Sequence, residues 1–381
     1  MNSMERVFSS IRNEKTDRIP LDLGSSFVTG ITKNAYIRFA DHLGISSGKI
    51  KLYDTVQQLP YVEEEILRRL EVDIRGLIPN FVRKNPEIQK HREEMRFVDE
   101  WGLIWEKPQG ALYYDIIKSP LSGDVTEKDI ENYAWPSPSE PGLWEGLVEK
   151  GKQYHEEGYA VILESRCSGI FEMGCRLRGY ETFYMDMAMN PAVTAALLDK
   201  LVELKIQFYE EAAKRLGPYV HFIREGDDMA GQESFLISPQ MYRDIIKPRH
   251  KQLFEAQRKL FPPPFYVFFH SDGCIFDIIP DFIEIGVDIL NPLQLTAKDM
   301  DAEKVKREYG KDISFWGGGV DTQNILPRGT PKQVRQNVTE RIKKLSPDGG
   351  YIFGTVHNIQ DDVPLENIVA LFETFMELRK Y

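Results

Sequence analysis

Cysteine is scarce: three of 381 residues, none in a Cys-x-x-Cys pair. That argues against a disulfide framework and fits a reducing compartment. No run approaches the ~18 consecutive apolar residues of a membrane span, and the start, Met1-Asn-Ser-Met-Glu-Arg6, carries no apolar signal core. Positive charge is outweighed, with 48 Lys and Arg against 59 Asp and Glu, a net charge of -11 and a pI near 5.3. A nucleic acid or an anionic membrane is therefore not an expected partner. The glycine-rich loop Gly24-Ser-Ser-Phe-Val-Thr-Gly30 lacks the Gly-Lys-Ser/Thr ending of a phosphate loop, and no Gly-x-Gly-x-x-Gly follows the first expected strand. What is present is ordinary globular material, 42% hydrophobic and 28% charged, enough for a large core. The chain reads as a soluble, cytoplasmic protein.

Apolar runs that end in polar residues recur along the chain. Strands are expected at 18–24, 72–79, 159–165, 221–228, 265–272, 287–293, 313–318 and 350–354. Helical periodicity fills the intervals near 4–12, 32–43 and 61–70, a helix-rich stretch follows the strand at 159–165 to about 215, and helices are expected near 239–259, 275–285, 301–309, 331–345 and 365–379. Residues 96–118 differ, with aromatics set among turn residues such as Lys107-Pro-Gln-Gly110, and predict an inserted β-meander. Eight strand-then-helix units imply parallel strands with right-handed crossovers. The expected fold is therefore α/β, a single (β/α)8 barrel over residues 1–381 with an N-terminal extension and the meander. An open doubly wound sheet is the alternative. In a barrel the site lies at the C-terminal ends of the strands, where this sequence concentrates its polar residues.

The most informative run is Phe265-Tyr-Val-Phe-Phe-His-Ser-Asp-Gly273. Residues two apart on a strand share a face, so His270 and Asp272 can aim at one atom, while Cys274 lies past the glycine with its direction unset. His357 follows the last strand in a polar loop. His270, Asp272 and His357 together would form a three-ligand N/O site with an open position, suited to zinc and equally to non-haem iron. A capped strand end and a helix-capping imidazole are the structural alternatives. The acids Glu225, Asp227 and Asp228 crowd the end of the fourth strand, where repulsion can keep one protonated as a general acid; hydrogen bonding to loop amides is the alternative. Arg166 and Arg224 can pair with these acids or bind a substrate carboxylate. Glu164, Asn291 and Gln294 also end strands, and Phe27, Trp101, Trp105, Tyr113 and Tyr114 can wall a flat substrate.

His270-Ser-Asp-Gly273, Gly286-Val-Asp-Ile-Leu-Asn-Pro292, Phe315-Trp-Gly-Gly-Gly-Val-Asp-Thr322 and His357-Asn-Ile, with Arg178-Gly-Tyr-Glu181 and Ile237-Ser-Pro239, make the chain resemble the uroporphyrinogen decarboxylase superfamily along nearly its whole length. That resemblance implies a (β/α)8 barrel. True decarboxylases carry an N-terminal Met-Arg-Gln-Ala-Gly-Arg signature, and Leu21-Asp-Leu-Gly-Ser-Ser-Phe27 occupies that region without an arginine. The corrinoid-dependent methyltransferase branch is similar in placing zinc ligands after the fifth and last strands. There His270 matches a family ligand, Asp272 falls on a Cys position and His357 falls near the last ligand.

The departure from thiol ligands puts methylation of a thiol such as coenzyme M in doubt. Within that branch it implies a donor whose ether oxygen needs a Lewis acid. The resemblance thus implies methyl transfer from a small methylated substrate to the cobalt of a corrinoid, while the aromatic residues and the lack of an obvious polyanion site point to a flat, weakly charged donor, most simply a methoxylated aromatic. No Asp-x-His-x-x-Gly motif is present, so the corrinoid is assigned to a partner protein. In this scheme His270, Asp272 and His357 hold zinc, Asp227, Asp228 or Glu225 handles the proton, and Arg166, Glu164, Phe27, Asn291 and Gln294 contact substrate. Cofactor-free uroporphyrinogen decarboxylation, a non-catalytic ligand-binding homologue and a homodimeric assembly are alternatives.

Overall fold

A computed structural model describes residues 1–45, 48, 50–81 and 95–380. Its strands, in chain order, are β1 (Leu52–Asp54), β2 (Leu59–Pro60), β3 (Ile74–Leu77), β4 (Met95–Val98), β5 (Ile104–Lys107), β6 (Asp115–Lys118), β7 (Ala160–Glu164), β8 (Phe222–Gly226), β9 (Tyr266–His270), β10 (Ile289–Asn291), β11 (Ser314–Trp316) and β12 (Tyr351–Ile352). Seven of them form one parallel sheet in the order β12-β11-β10-β9-β8-β7-β3. The segment around Leu21 closes the ring. It bridges in parallel to Phe353, Phe353 N donates to Pro20 O at 2.9 Å, and Asp73 N donates to Leu21 O at 2.9 Å. The expected first strand is thus present as a single bridge, because Pro20 has no N–H to extend a ladder.

Alternation along the strands sorts side chains into two layers. Ile74, Ala160, Ile162, Phe222, Phe268, Ile289, Trp316 and Ile352 fill the barrel interior. Val161, Leu163, Ile223, Val267, Phe269, Leu290 and Phe315 face the surrounding helices. The helix Ser3–Ile11 plugs the bottom, packing Val7, Phe8 and Ile11 against the interior layer. It starts at an Asn2/Glu5 capping box. Its side chains fasten it to the strands' N-terminal ends: Arg6 Nη1 donates to Asp73 Oδ1 at 2.7 Å and Ser10 Oγ to Tyr351 O at 2.9 Å.

The meander expected over 96–118 is a three-stranded antiparallel sheet, β4-β5-β6, pairing Phe97 with Trp105 and Trp105 with Ile116. Among the elements not expected are the β1-β2 hairpin and the helices Glu127–Glu131, Ile325–Arg328 and Leu147–Glu156. Only Leu147 and Gly151 of the last helix are buried, too sparse an apolar stripe to show periodicity. Among the described residues, no helix is long and apolar enough to cross a membrane.

Candidate metal centre and its cavity

Strand register positions the key imidazole. His270 ends β9, level with Gly226 of β8 and Asn291 of β10. Gly226 is required there, since a Cβ would lie 2.6 Å from the His270 Cβ. His270 Nδ1 lies 2.7 Å from Asn291 Oδ1, while Asn291 Nδ2 donates to Trp316 O at 2.7 Å. With its amide nitrogen committed, Asn291 offers oxygen to the imidazole. His270 therefore carries its proton on Nδ1 and presents the Nε2 lone pair to the cavity.

The chain turns after Ser271 through Gly273, at φ +92° with the Ala230 carbonyl oxygen 2.3 Å from where a Cβ would stand, so only glycine fits. Gly273 N donates to Gln294 Oε1 at 2.7 Å, and Asp272 N to Asp228 Oδ1 at 2.9 Å. This turn brings Asp272 back toward His270, with Oδ2 3.7 Å from Nε2. His357 arrives from the loop after β12, its ring centroid 5.7 Å from that of His270. One ligand atom each from His270, Asp272 and His357 lies within 4.8 Å of the others. Asp228 Oδ1 stands beside them, 3.8 Å from His270 Nε2.

The electrostatics fit a cation. Burial, reinforced by the neighbouring His357, holds His270 down to about 3, and burial with the Arg224 charge holds His357 down to about 4. Both imidazoles are thus neutral donors. Burial, then the charge of Glu172, pushes Asp228 up to about 7, and burial with the neighbouring Asp228 raises Asp272 well above the carboxylate range. Asp272 Oδ1 is buried with no hydrogen-bond partner among the described residues. Two neutral nitrogens and carboxylates that ionise poorly without a counter-charge suit a divalent metal. Cys274 is outside this group, buried with its amide donating to Gly231 O.

The cluster opens into a cavity of about 1230 Å³. Phe27, Arg166, Arg224, Asp228 and Gln294 line it, as do Trp101, Trp105, Tyr113 and Tyr114 from the meander and its connections. Phe27 stacks on Tyr53 at a centroid distance of 5.7 Å. Glu172 and Arg176, on the helix Ile170–Arg178, were not expected; both line the cavity, and Arg176 lies over the Trp105 ring at 5.5 Å. Their signal was the helix register after β7, visible only once that helix is placed.

Four expected site residues lie elsewhere. Glu225 alternates outward on β8, away from the mouth. Lys205 Nζ donates to it at 3.0 Å, Ser165 Oγ donates at 2.6 Å and the Tyr209 hydroxyl donates as well. Asp227 caps the helix Ile170–Arg178, accepting from Phe171 N and Glu172 N at 2.8 Å, with His250 Nε2 at 3.1 Å. Glu164 is buried beneath the cavity floor, receiving Arg224 Nε at 2.6 Å and Phe27 N at 2.9 Å. Asn291 lies under His270 and does not reach the cavity. These positions correct the expectation that Glu225 or Asp227 meets the substrate, and that Glu164 or Asn291 touches it directly.

Fold and site together define a (β/α)8 barrel with a candidate metal pocket at the C-terminal ends of its strands. The chain belongs to the uroporphyrinogen decarboxylase (URO-D) family, whose model matches residues 122–378. It is 23% identical over 276 residues to a methylated-thiol–coenzyme M methyltransferase of Methanosarcina mazei, a match covering 70% of this chain and 65% of that protein. It is 21% identical over 329 residues to a uroporphyrinogen decarboxylase of Nostoc punctiforme, covering 80% and 87%. Among solved structures, a methyltransferase from Methanosarcina mazei shares the fold, with a TM-score of 0.64, 16% identity and 99% of each chain covered.

Proposed function

We propose that this protein is a methyltransferase that removes the methyl group of a methoxylated aromatic and passes it to the cobalt of a corrinoid on a partner protein. The observation that carries this reading is the His270, Asp272 and His357 cluster at the base of an aromatic-walled cavity. The likeness to a methylated-thiol–coenzyme M methyltransferase supports methyl transfer as the reaction class. The donor set supports oxygen over sulfur, since imidazole and carboxylate are harder ligands than thiolate.

His270 Nε2, Asp272 and His357 would hold the metal, zinc by preference. When bound, such an ion draws charge from the ether oxygen and makes the arene oxide a better leaving group. Phe27 with Tyr53 on one side and the meander aromatics on the other orient the ring and exclude water. With a low-valent corrinoid as acceptor, the methyl C–O bond would break as the acceptor's electron pair takes up the carbon, and the released phenolate would gain a proton. Asp228, at the cavity edge beside the cluster, is placed to supply that proton, a role that neither Asp227 nor Glu225 can reach. Gln294 holds the loop that carries Asp272, through the Gly273 amide.

The test is anaerobic: reduced cob(I)alamin with a panel of methoxyaromatics, methylamines, methanol and methylated thiols, followed by absorbance. Methylcobalamin formed from methoxyaromatics and lost in His270→Ala is the expected result. Transfer only from an amine, methanol or a thiol overturns the aromatic assignment, and uroporphyrinogen turnover overturns the reaction class.

A further inference from the structure

Among the described residues, three arginines line the cavity, and they differ in how much of their hydrogen-bonding capacity the protein uses. Arg224 spends Nε and Nη2 on Glu164. Arg176 is paired with Glu172 and lies over Trp105. Arg166 is 3% exposed, yet neither Nη1 nor Nη2 has a hydrogen-bond acceptor among the described residues. Glu100 Oε2 forms an ion pair with Nη2 at 3.2 Å, which offsets the charge on one side of the guanidinium. A buried guanidinium fork with idle donors is costly unless an acceptor completes it, and its planar geometry matches a carboxylate with two parallel bonds.

From these observations we propose that Arg166 is the anchor for a carboxylate on the aromatic methyl donor, so that the substrate class is the methoxylated benzoate. Arg166 follows β7, two strands from His270 at the end of β9. Two inter-strand spacings separate the two backbones by about 10 Å around the wall, a span on the scale of a benzoate ring with its two polar ends. The Phe81 ring lies 5.7 Å from the Arg166 guanidinium carbon, with Phe27 edge-on to Phe81 at 6.1 Å, so the same guanidinium borders an aromatic slot. Of the cavity acids, Glu100 is ion-paired with Arg166 at 3.2 Å, and a substrate carboxylate would share the guanidinium with it. Asp54 accepts Val56 N, Asp99 accepts Trp101 N, Leu103 N and Trp105 Nε1, Asp272 belongs to the metal cluster, and Asp228 stands beside it.

The proposal rests on the methoxyaromatic reading and has a separate readout. Binding of para-methoxybenzoate and its neutral isostere para-methoxybenzamide to the full-length protein is measured by titration calorimetry, for wild type, Arg166→Gln and Arg166→Lys. The benzoate is expected to bind about tenfold or more tighter than the amide, as a charge-assisted bidentate contact implies. That preference should vanish in Arg166→Gln and fall partway in Arg166→Lys. Equal binding of the two probes by wild type, no binding of either, or a preference that survives Arg166→Gln overturns it. The wild-type comparison decides the matter even if a variant does not fold. Methyl transfer from neutral methoxyarenes without benzoate preference would remove the carboxylate anchor and leave the transferase reading standing. Arg166-dependent benzoate binding without methyl transfer would do the reverse.

Discussion

Replacing Asn291 by alanine tests whether the buried amide sets the tautomer of His270. The asparagine joins two groups, accepting from His270 Nδ1 at 2.7 Å and donating to Trp316 O at 2.7 Å. Alanine leaves both unmade, at about 1–3 kcal/mol for each buried group, less whatever water recovers by entering the gap. It also frees the proton to move to Nε2, which would remove the lone pair from the cavity. Loss of such an outer partner weakens metal binding about 10–100-fold, or about 1.4–2.7 kcal/mol. Asn291→Asp separates the two effects. The carboxylate still accepts from Nδ1, so metal affinity is held, while Trp316 O loses its donor and the fold is destabilised. The assay is zinc competition against a chromophoric chelator at neutral pH, beside urea unfolding of the metal-free protein. Affinity unchanged in Asn291→Ala, or reduced equally in both variants, would refute the tautomer argument.

Elemental analysis should find about one divalent metal per wild-type chain, and His270→Ala and His357→Ala should each lose most of it, as removal of one of three protein ligands implies. Lys205→Met should lower stability by about 3–5 kcal/mol in urea unfolding, because it strands Glu225 in a buried site; a loss under about 1 kcal/mol would show that Tyr209 and Ser165 suffice. His221, remote from the metal cluster, accepts the Val161 N–H on Nδ1 at 3.0 Å, and burial holds it down to about 3. Its folded form therefore resists a proton that the unfolded chain takes up below about pH 6.5, so stability falls as pH drops from there toward 3. His221→Gln should flatten that fall by about 1.4 kcal/mol per pH unit, and an unchanged slope would show that His221 does not titrate in this way.

All eight barrel strands were legible because each is an apolar run closed by polar residues, and the ring of parallel pairs follows from that count. The first was reduced to the Leu21 bridge by Pro20, a local cause that the sequence itself carries. His270, Asp272 and His357 were legible as residues, since strand ends at a barrel mouth converge. Their approach depends on the turn at Gly273 and the support of Gln294, which are contacts between distant segments. Alternation on β8 was readable: Phe222 faces inward and Ile223 outward, which sends Glu225 outward, to the helix layer. What the linear order hides is the partner, Lys205, on a helix that precedes the strand and packs outside it. Asp227 was hidden similarly, as its task is to cap a helix that starts 57 residues before it.

The plug formed by the helix Ser3–Ile11 has a kinetic consequence. With Val7, Phe8 and Ile11 packed beneath the filled interior layer, the barrel is closed at its N-terminal end, and under the proposed reading donor and acceptor would share the opposite mouth. On that reading a small arene entering first would reach the metal cluster, whereas a macromolecular acceptor seated first would block its path. The shape therefore favours a compulsory order in which the demethylated arene departs last, after the acceptor has undocked. Product inhibition should then be competitive with the donor and noncompetitive with the acceptor.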